Sequence, residues 1–170
     1  MIMMVAIPEG ATVQISGRKL SVKGPKGTVE REFGVKGLLL EKKDNEIVVR
    51  AENGAVVSKA LLNTIEAHVR NMLEGAVRGY ERRMQVIYAH FPISLEVKGG
   101  ELYIKNFLGE KQPRRARIVG ATKVEVKGQS VIITGPSKED VGQTVSNIKA
   151  ATRIRRRDSR VFQDGLYEVG

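Results

Sequence analysis

At 170 residues with 41% hydrophobic content and a formal net charge of +10, the chain can bury a real core and carries enough excess cation to attract a polyanion. That composition excludes a disordered tail protein, and the lack of cysteine excludes a disulfide framework and a thiolate metal site. There is no run of about 18 apolar residues to span a bilayer, and the segment Met1–Ile7 is too short and lacks the basic flank of a signal peptide, so a soluble, cytoplasmic protein is expected.

In chain order, Val13-Gln14-Ile15-Ser16-Gly17-Arg18-Lys19-Leu20-Ser21-Val22-Lys23 alternates apolar and polar residues around a glycine, which predicts a β-hairpin. Gly24-Pro25-Lys26-Gly27-Thr28 superficially resembles a phosphate loop, but it lacks the glycine-to-lysine spacing and the following helix, so a turn between two strands is predicted. Ile47-Val48-Val49-Arg50 reads as a strand that leads into a helix. On that helix Val57, Leu61, Ile65, Val69 and Met72 keep one apolar face, with Ser58, Lys59 and Glu66 outside and an end near Gly75. Arg82-Arg83-Met84-Gln85-Val86-Ile87-Tyr88-Ala89-His90 reads as a strand closing this first unit, and Pro92 marks its boundary.

The chain then repeats itself. A shift of 82 positions lays the first hairpin on Leu95-Glu96-Val97-Lys98-Gly99-Gly100-Glu101-Leu102-Tyr103-Ile104-Lys105, and the match runs through Gly27 and Gly109. With a slightly different offset, Val131-Ile132-Ile133-Thr134 answers Ile47–Arg50. The second helix carries the stripe Val141, Val145, Ile148, and Ser137-Lys138-Glu139-Asp140 sits where a capping box would start it. Arg155 would fall on that stripe if the helix ran on. Burying an unpaired guanidinium costs on the order of several kcal/mol, so the helix is expected to stop near Arg153 and release an arginine tail that turns at Asp164-Gly165. Two tandem α+β units follow, residues 1–92 and 93–170, each strands first and helix last. The first holds 14 Lys and Arg against 10 acids and the second 15 against 9, so the second is the more basic.

The histidines, His68 and His90, lie on different elements, so half-buried packing rather than a metal site is expected. No acid and base couple or nucleophile constellation stands out, and no catalytic residue, cofactor, metal or small-molecule substrate is expected. What stands out is arginine. Arg153, Arg155, Arg156, Arg157 and Arg160 fall within eight positions, following Lys149, and Lys111-Gln112-Pro113-Arg114-Arg115-Ala116-Arg117 adds three more on a loop or edge strand. Guanidinium groups this dense repel one another, and the clustering makes sense when an external polyanion takes them up by bidentate phosphate contacts. Val161, Phe162, Leu166 and Tyr167 give the tail apolar groups to dock with. Phe162 and Tyr167 are expected to pack on the unit rather than stack on bases, since aromatic content is only 5%. Neither helix pairs a lysine-rich face with bulky apolar anchors, which argues against a membrane surface.

The repeat, the stretch His68-Val69-Arg70-Asn71-Met72-Leu73-Glu74-Gly75-Ala76-Val77-Arg78-Gly79-Tyr80, the boundary Tyr88-Ala89-His90-Phe91-Pro92 and the closing residues Arg153–Tyr167 resemble the large-subunit ribosomal protein L-six family over essentially the whole chain. The C-terminal wording is similar to the archaeal and eukaryotic branch, and an archaeal source is expected. The resemblance implies a fold in which each half holds two small antiparallel sheets and one helix around a single core. It implies a non-enzymatic protein of the cytoplasmic ribosome that binds large-subunit rRNA, chiefly through the second half, near the sarcin-ricin loop and the base of the factor-recruiting stalk, beside neighbouring large-subunit proteins. The residues it marks for rRNA contact are Arg114, Arg115, Arg117, Lys149, Arg153, Arg155, Arg156, Arg157 and Arg160.

Overall fold

The computed structural model describes residues 2–52, 57–87 and 90–170. The chain divides into two compact units, Met1–Gly79 with Pro136–Lys138 and Tyr80–Gly135 with Glu139–Gly170. The first unit runs β1 (Ile2–Ala6), β2 (Thr12–Ser16), β3 (Lys19–Gly24), β4 (Gly27–Glu32), β5 (Leu38–Lys43), β6 (Glu46–Ala51) and helix α1 (Lys59–Val77). Its strands form two antiparallel sheets, ordered β1-β6-β5 and β2-β3-β4. Period-two alternation sends Leu20 and Val22 of β3 and Ile47 and Val49 of β6 inward, where Leu62, Ile65, Val69 and Leu73 of α1 meet them in one core.

The start of α1 is written locally. Ser58 has extended backbone angles and its Oγ accepts the Leu61 N–H at 3.3 Å, while Val57 just outside and Leu62 four residues on both reach the core as a hydrophobic staple. The predicted glycine-bearing turn after β3 is confirmed, since β3 ends at Gly24 and β4 begins at Gly27. Gly24 is needed because a Cβ there would collide with the carbonyl of Ala76 on α1, the same carbonyl that accepts the Lys26 N–H at 3.0 Å.

The second unit runs β7 (Tyr80–Ile87), β8 (Ser94–Lys98), β9 (Glu101–Lys105), β10 (Arg114–Arg117), β11 (Lys123–Lys127), β12 (Ser130–Gly135), helix α2 (Lys138–Ala151) and β13 (Gly165–Val169). Its sheets are β10-β9-β8 and β11-β12-β7-β13, again antiparallel. Leu102, Ile104, Met84, Val131 and Ile133 form its core with Val141, Val145 and Ile148 of α2, the expected stripe, joined by Thr144. The α+β class and the tandem duplication expected from the repeat are what the chain adopts.

The boundary differs from the one expected at Pro92. The strand that begins at Tyr80 does not close the first unit: it pairs with β12 and β13 and places Met84 and Val86 in the second core. It stands to β12 as β1 stands to β6, so it opens the second repeat. Gly79 marks the joint. At φ 74 it takes the left-handed position after α1, its N–H donating to the Gly75 carbonyl at 2.9 Å, and the chain leaves the helix directly into β7. The helix therefore ends at Val77, two residues past the expected Gly75. Tyr88 and Ala89, which the sequence placed in the same strand, lie outside the described residues, and the described strand ends at Ile87.

Two additions distinguish the second unit. Where two residues join β3 to β4, eight join β9 to β10, among them a single 3-10 turn at Phe107–Gly109 that sinks Phe107 fully into the core. The correspondence of Gly27 with Gly109 breaks here, because the first opens a strand and the second closes a turn. After α2 the chain makes a loop over residues 152–164 and returns as β13 on the free side of β7. The arginines are thus not released on a tail. They sit in a loop held at both ends, because Leu166 is buried and the backbone of β13 completes the sheet.

Candidate nucleic-acid interface

The helix α2 stops at Ala151, two residues before the expected Arg153. Thr152 is buried and its Oγ1 donates back to the Ile148 carbonyl at 3.2 Å and the Lys149 carbonyl at 3.3 Å, competing with continuation of the helix. Ile154 turns into the core edge, and Arg155, Arg156 and Arg157 follow on the exposed side. Arg156 has a left-handed backbone, φ 60, which reverses the loop. A turn then forms at Asp158, whose carbonyl accepts the N–H groups of Val161 at 3.1 Å and Phe162 at 2.9 Å. Phe162 is half-buried: its ring stacks on that of His90 with centres 4.8 Å apart, and the Arg157 guanidinium lies 4.8 Å from its centre. Packing on the unit, as expected for Phe162, is what is seen. Tyr167 is more exposed, with its hydroxyl donating to the Gln163 carbonyl at 2.8 Å. At the expected Asp164-Gly165 turn the strand β13 begins, and Asp164 is buried with His90 Nδ1 at 3.4 Å.

β10 is an edge strand, and its alternation sorts the three arginines. Ala116 and Arg114 point toward the core side, whereas Arg115 and Arg117 are exposed on the other face, opposite Tyr103 and Glu101 of β9. Arg114 is therefore not on the open surface. Its Nε and Nη2 donate to the two carboxylate oxygens of Glu110 at 2.9 and 2.6 Å, its Nη1 donates to the carbonyls of Ala151 and Arg153 at 2.9 and 3.0 Å, and its guanidinium lies 4.4 Å from the Phe107 ring centre. Expected from the sequence among the rRNA contacts, it has its donors taken up inside the unit.

The other expected residues divide the same way. Lys149 is bound to Glu168 of β13 at 2.7 Å, and Arg82 of β7 reaches the same carboxylate at 3.1 Å. Arg160 makes a two-toothed pair with Asp158 at 3.0 and 3.1 Å. These cations hold the carboxyls of Glu168, Asp158 and Glu110 below the usual carboxylate range, in each case first through a side-chain hydrogen bond: from Lys149, from Arg160 and from Arg114. The exposed side chains of Arg115, Arg117, Arg153, Arg155 and Arg156 meet no carboxylate among the described residues. The structure brings the loop and β10 together: Arg114 joins them at Arg153, and Asn147 of α2 donates to the Arg117 carbonyl at 2.9 Å. No group of carboxylates and imidazoles that could hold a metal ion is present among the described residues.

A model of the ribosomal protein L6 family matches residues 7–78 and 91–165, one match for each repeat. The chain belongs to the ribosomal protein L6 family. It is 47% identical over 165 residues to the large ribosomal subunit protein uL6 of Methanosarcina mazei, covering 97% of this chain and 94% of that protein. The proteins of the same name from Methanothrix thermoacetophila and Staphylothermus marinus are 47% and 45% identical over 96% of this chain. These archaeal relatives agree with the branch that the C-terminal wording suggested. For this L6 chain the sequence reading missed Glu110 and Phe107 as partners of Arg114. The acid four residues before an arginine was a visible signal, but it is the spacing of a helical pair and this segment is not a helix.

Proposed function

We propose that the protein is a structural, non-enzymatic component of the large ribosomal subunit in the cytoplasm, and that it binds large-subunit rRNA mainly through its second unit. The observation that carries this reading is the set of five exposed guanidinium groups that meet no carboxylate among the described residues, Arg115, Arg117, Arg153, Arg155 and Arg156, gathered on β10 and the adjoining loop. A backbone of phosphates presents the bidentate acceptors such groups lack. Phosphate contacts fix position and carry affinity, while the shape of folded RNA selects the place, so a rigid unit with a loop anchored at both ends suits the task. Arg157, Arg160 and Lys149 are exposed but already meet Phe162, Asp158 and Glu168 of the same unit. The Arg160 pair is exposed enough that exchanging Asp158 for a phosphate costs little. The family resemblance supports a location near the sarcin-ricin loop and the base of the factor-recruiting stalk, beside neighbouring large-subunit proteins; crosslinking of the assembled particle with mapping of RNA and peptide partners tests that location.

The test of the interface uses the full chain. Replacing Arg153, Arg155 and Arg156 by Gln should reduce the dependence of log affinity for large-subunit rRNA on log salt by about 0.7 to 0.9 per lost contact, two to three units in all. Folding should barely change, since these side chains are exposed. An unchanged slope with unchanged affinity would remove the loop from the interface.

A further inference from the structure

The Arg114 side chain is a quarter exposed and its guanidinium makes four hydrogen bonds, with partners from two segments far apart in the chain. Glu110 belongs to the loop between β9 and β10, Phe107 to the 3-10 turn in that loop, and the two carbonyls to the end of α2 and the start of the arginine loop. Both additions that set the second unit apart from the first therefore meet at one planar group. The two carbonyls matter because the last turn of a helix leaves acceptors without intrahelical donors, and a cation there also opposes the negative end of the helix dipole. Phe107, fully buried, gives the guanidinium a fixed floor.

We propose that Arg114 and Glu110 form a latch that sets the path of the arginine loop before RNA arrives, so that Arg114 is a positioning residue and not a phosphate contact. The inference rests on the interface assigned above and deepens it. The fork geometry is what the latch uses: Nε and Nη2 hold one carboxylate while Nη1 bridges the Ala151 and Arg153 carbonyls, which a single ammonium cannot do at once. Glu110 fixes the orientation of that fork. With the carbonyl of Arg153 held, the chain leaves α2 in one direction, and Arg155 and Arg156 are presented from a fixed starting point. Binding then avoids the cost of ordering the loop.

Two full-chain variants separate positioning from contact, because neither lowers the positive charge. Arg114→Lys keeps a phosphate-binding cation and loses the fork; Glu110→Gln removes an acid and leaves Arg114 intact. If Arg114 were a phosphate contact, the first should bind rRNA about as well as the unchanged chain and the second as well or better. The latch predicts the opposite, a loss of roughly three- to tenfold in affinity for both. It also predicts faster amide hydrogen exchange at Arg153, Val161 and Phe162, with exchange in β9 and β12 unchanged; a merely global loss of stability would raise exchange in the strands as well. Unchanged loop exchange in both variants would overturn the latch, as would wild-type or tighter binding by Glu110→Gln. Paired replacement Arg155→Gln with Arg156→Gln is the control for the interface: if that variant binds normally the interface assignment fails, while the exchange data still decide whether the latch exists.

Discussion

The two units share a scaffold, yet β4 and β10, strands at the same place in it, read in opposite ways. β4 carries Glu30-Arg31-Glu32, and its acids face Ser21 and Lys19 across the ladder, with Lys19 and Glu30 2.6 Å apart. β10 carries Arg114-Arg115-Ala116-Arg117 and no acid. On β4 a cross-strand ion pair ties Glu30 to Lys19, whereas on β10 Arg115 lies opposite Tyr103 and Arg117, though opposite Glu101, makes no ion pair among the described residues. Charged edges also keep a strand from pairing with other chains, a second use for the arginines of β10. Duplication supplied the fold twice, and the second copy differs by two local additions that carry or adjoin the arginines of the proposed interface.

The largest expected effect tests where the copies divide. Residues 80–170 should fold alone with a cooperative thermal transition, whereas residues 93–170, lacking β7, should show no cooperative transition by circular dichroism, because β7 lies between β12 and β13 and brings Met84 and Val86 to the core. A cooperative melt of the shorter fragment would restore the boundary at Pro92. Next comes the addition between β9 and β10. Phe107→Ala in the 80–170 fragment should cost about 3–5 kcal/mol in urea denaturation, the usual range for deleting a buried aromatic ring; a cost near zero would make the 3-10 turn a surface ornament. In the first unit the matching loop is a tight turn against α1, and Gly24→Ala there should cost roughly 1–3 kcal/mol in a melt of residues 1–79, since the added methyl meets backbone.

The smallest effect concerns pH. Glu110 has its pKa lowered on folding, chiefly by the hydrogen bond from Arg114, so its contribution is present above the usual carboxylate range and is lost as pH falls through the lowered value. Being about 41% exposed, the side chain should account for less than about 1 kcal/mol. Stability of the 80–170 fragment between pH 6 and the acid limit should therefore fall slightly less steeply in Glu110→Gln than in the unchanged fragment. Identical profiles would mean that the pair is solvated and idle.

Much of this was legible in the residues alone. Alternation announced the hairpins, the spacing of Ile65, Val69 and Met72 announced α1, and the shift of 82 positions announced the duplication, because hydrophobic periodicity is a local property that burial reads directly. The arginine density pointed to a polyanion for an equally local reason, the mutual repulsion of like charges. What tertiary structure alone decided was membership and direction. Which sheet Arg82–Ile87 would join depends on β12 and β13, whose paired residues lie 45 (Gln85 with Ser130) to 86 (Arg83 with Val169) positions away. The arginine run reads as a tail until Leu166 is seen to be buried and β13 to complete a sheet. Arg114 and Arg115 look alike in the sequence and are neighbours on one strand, yet the pleat turns one onto Phe107 and the other to solvent. Charge is a property of composition, but whether a given charge is free depends on the partners that the fold brings within hydrogen-bonding distance.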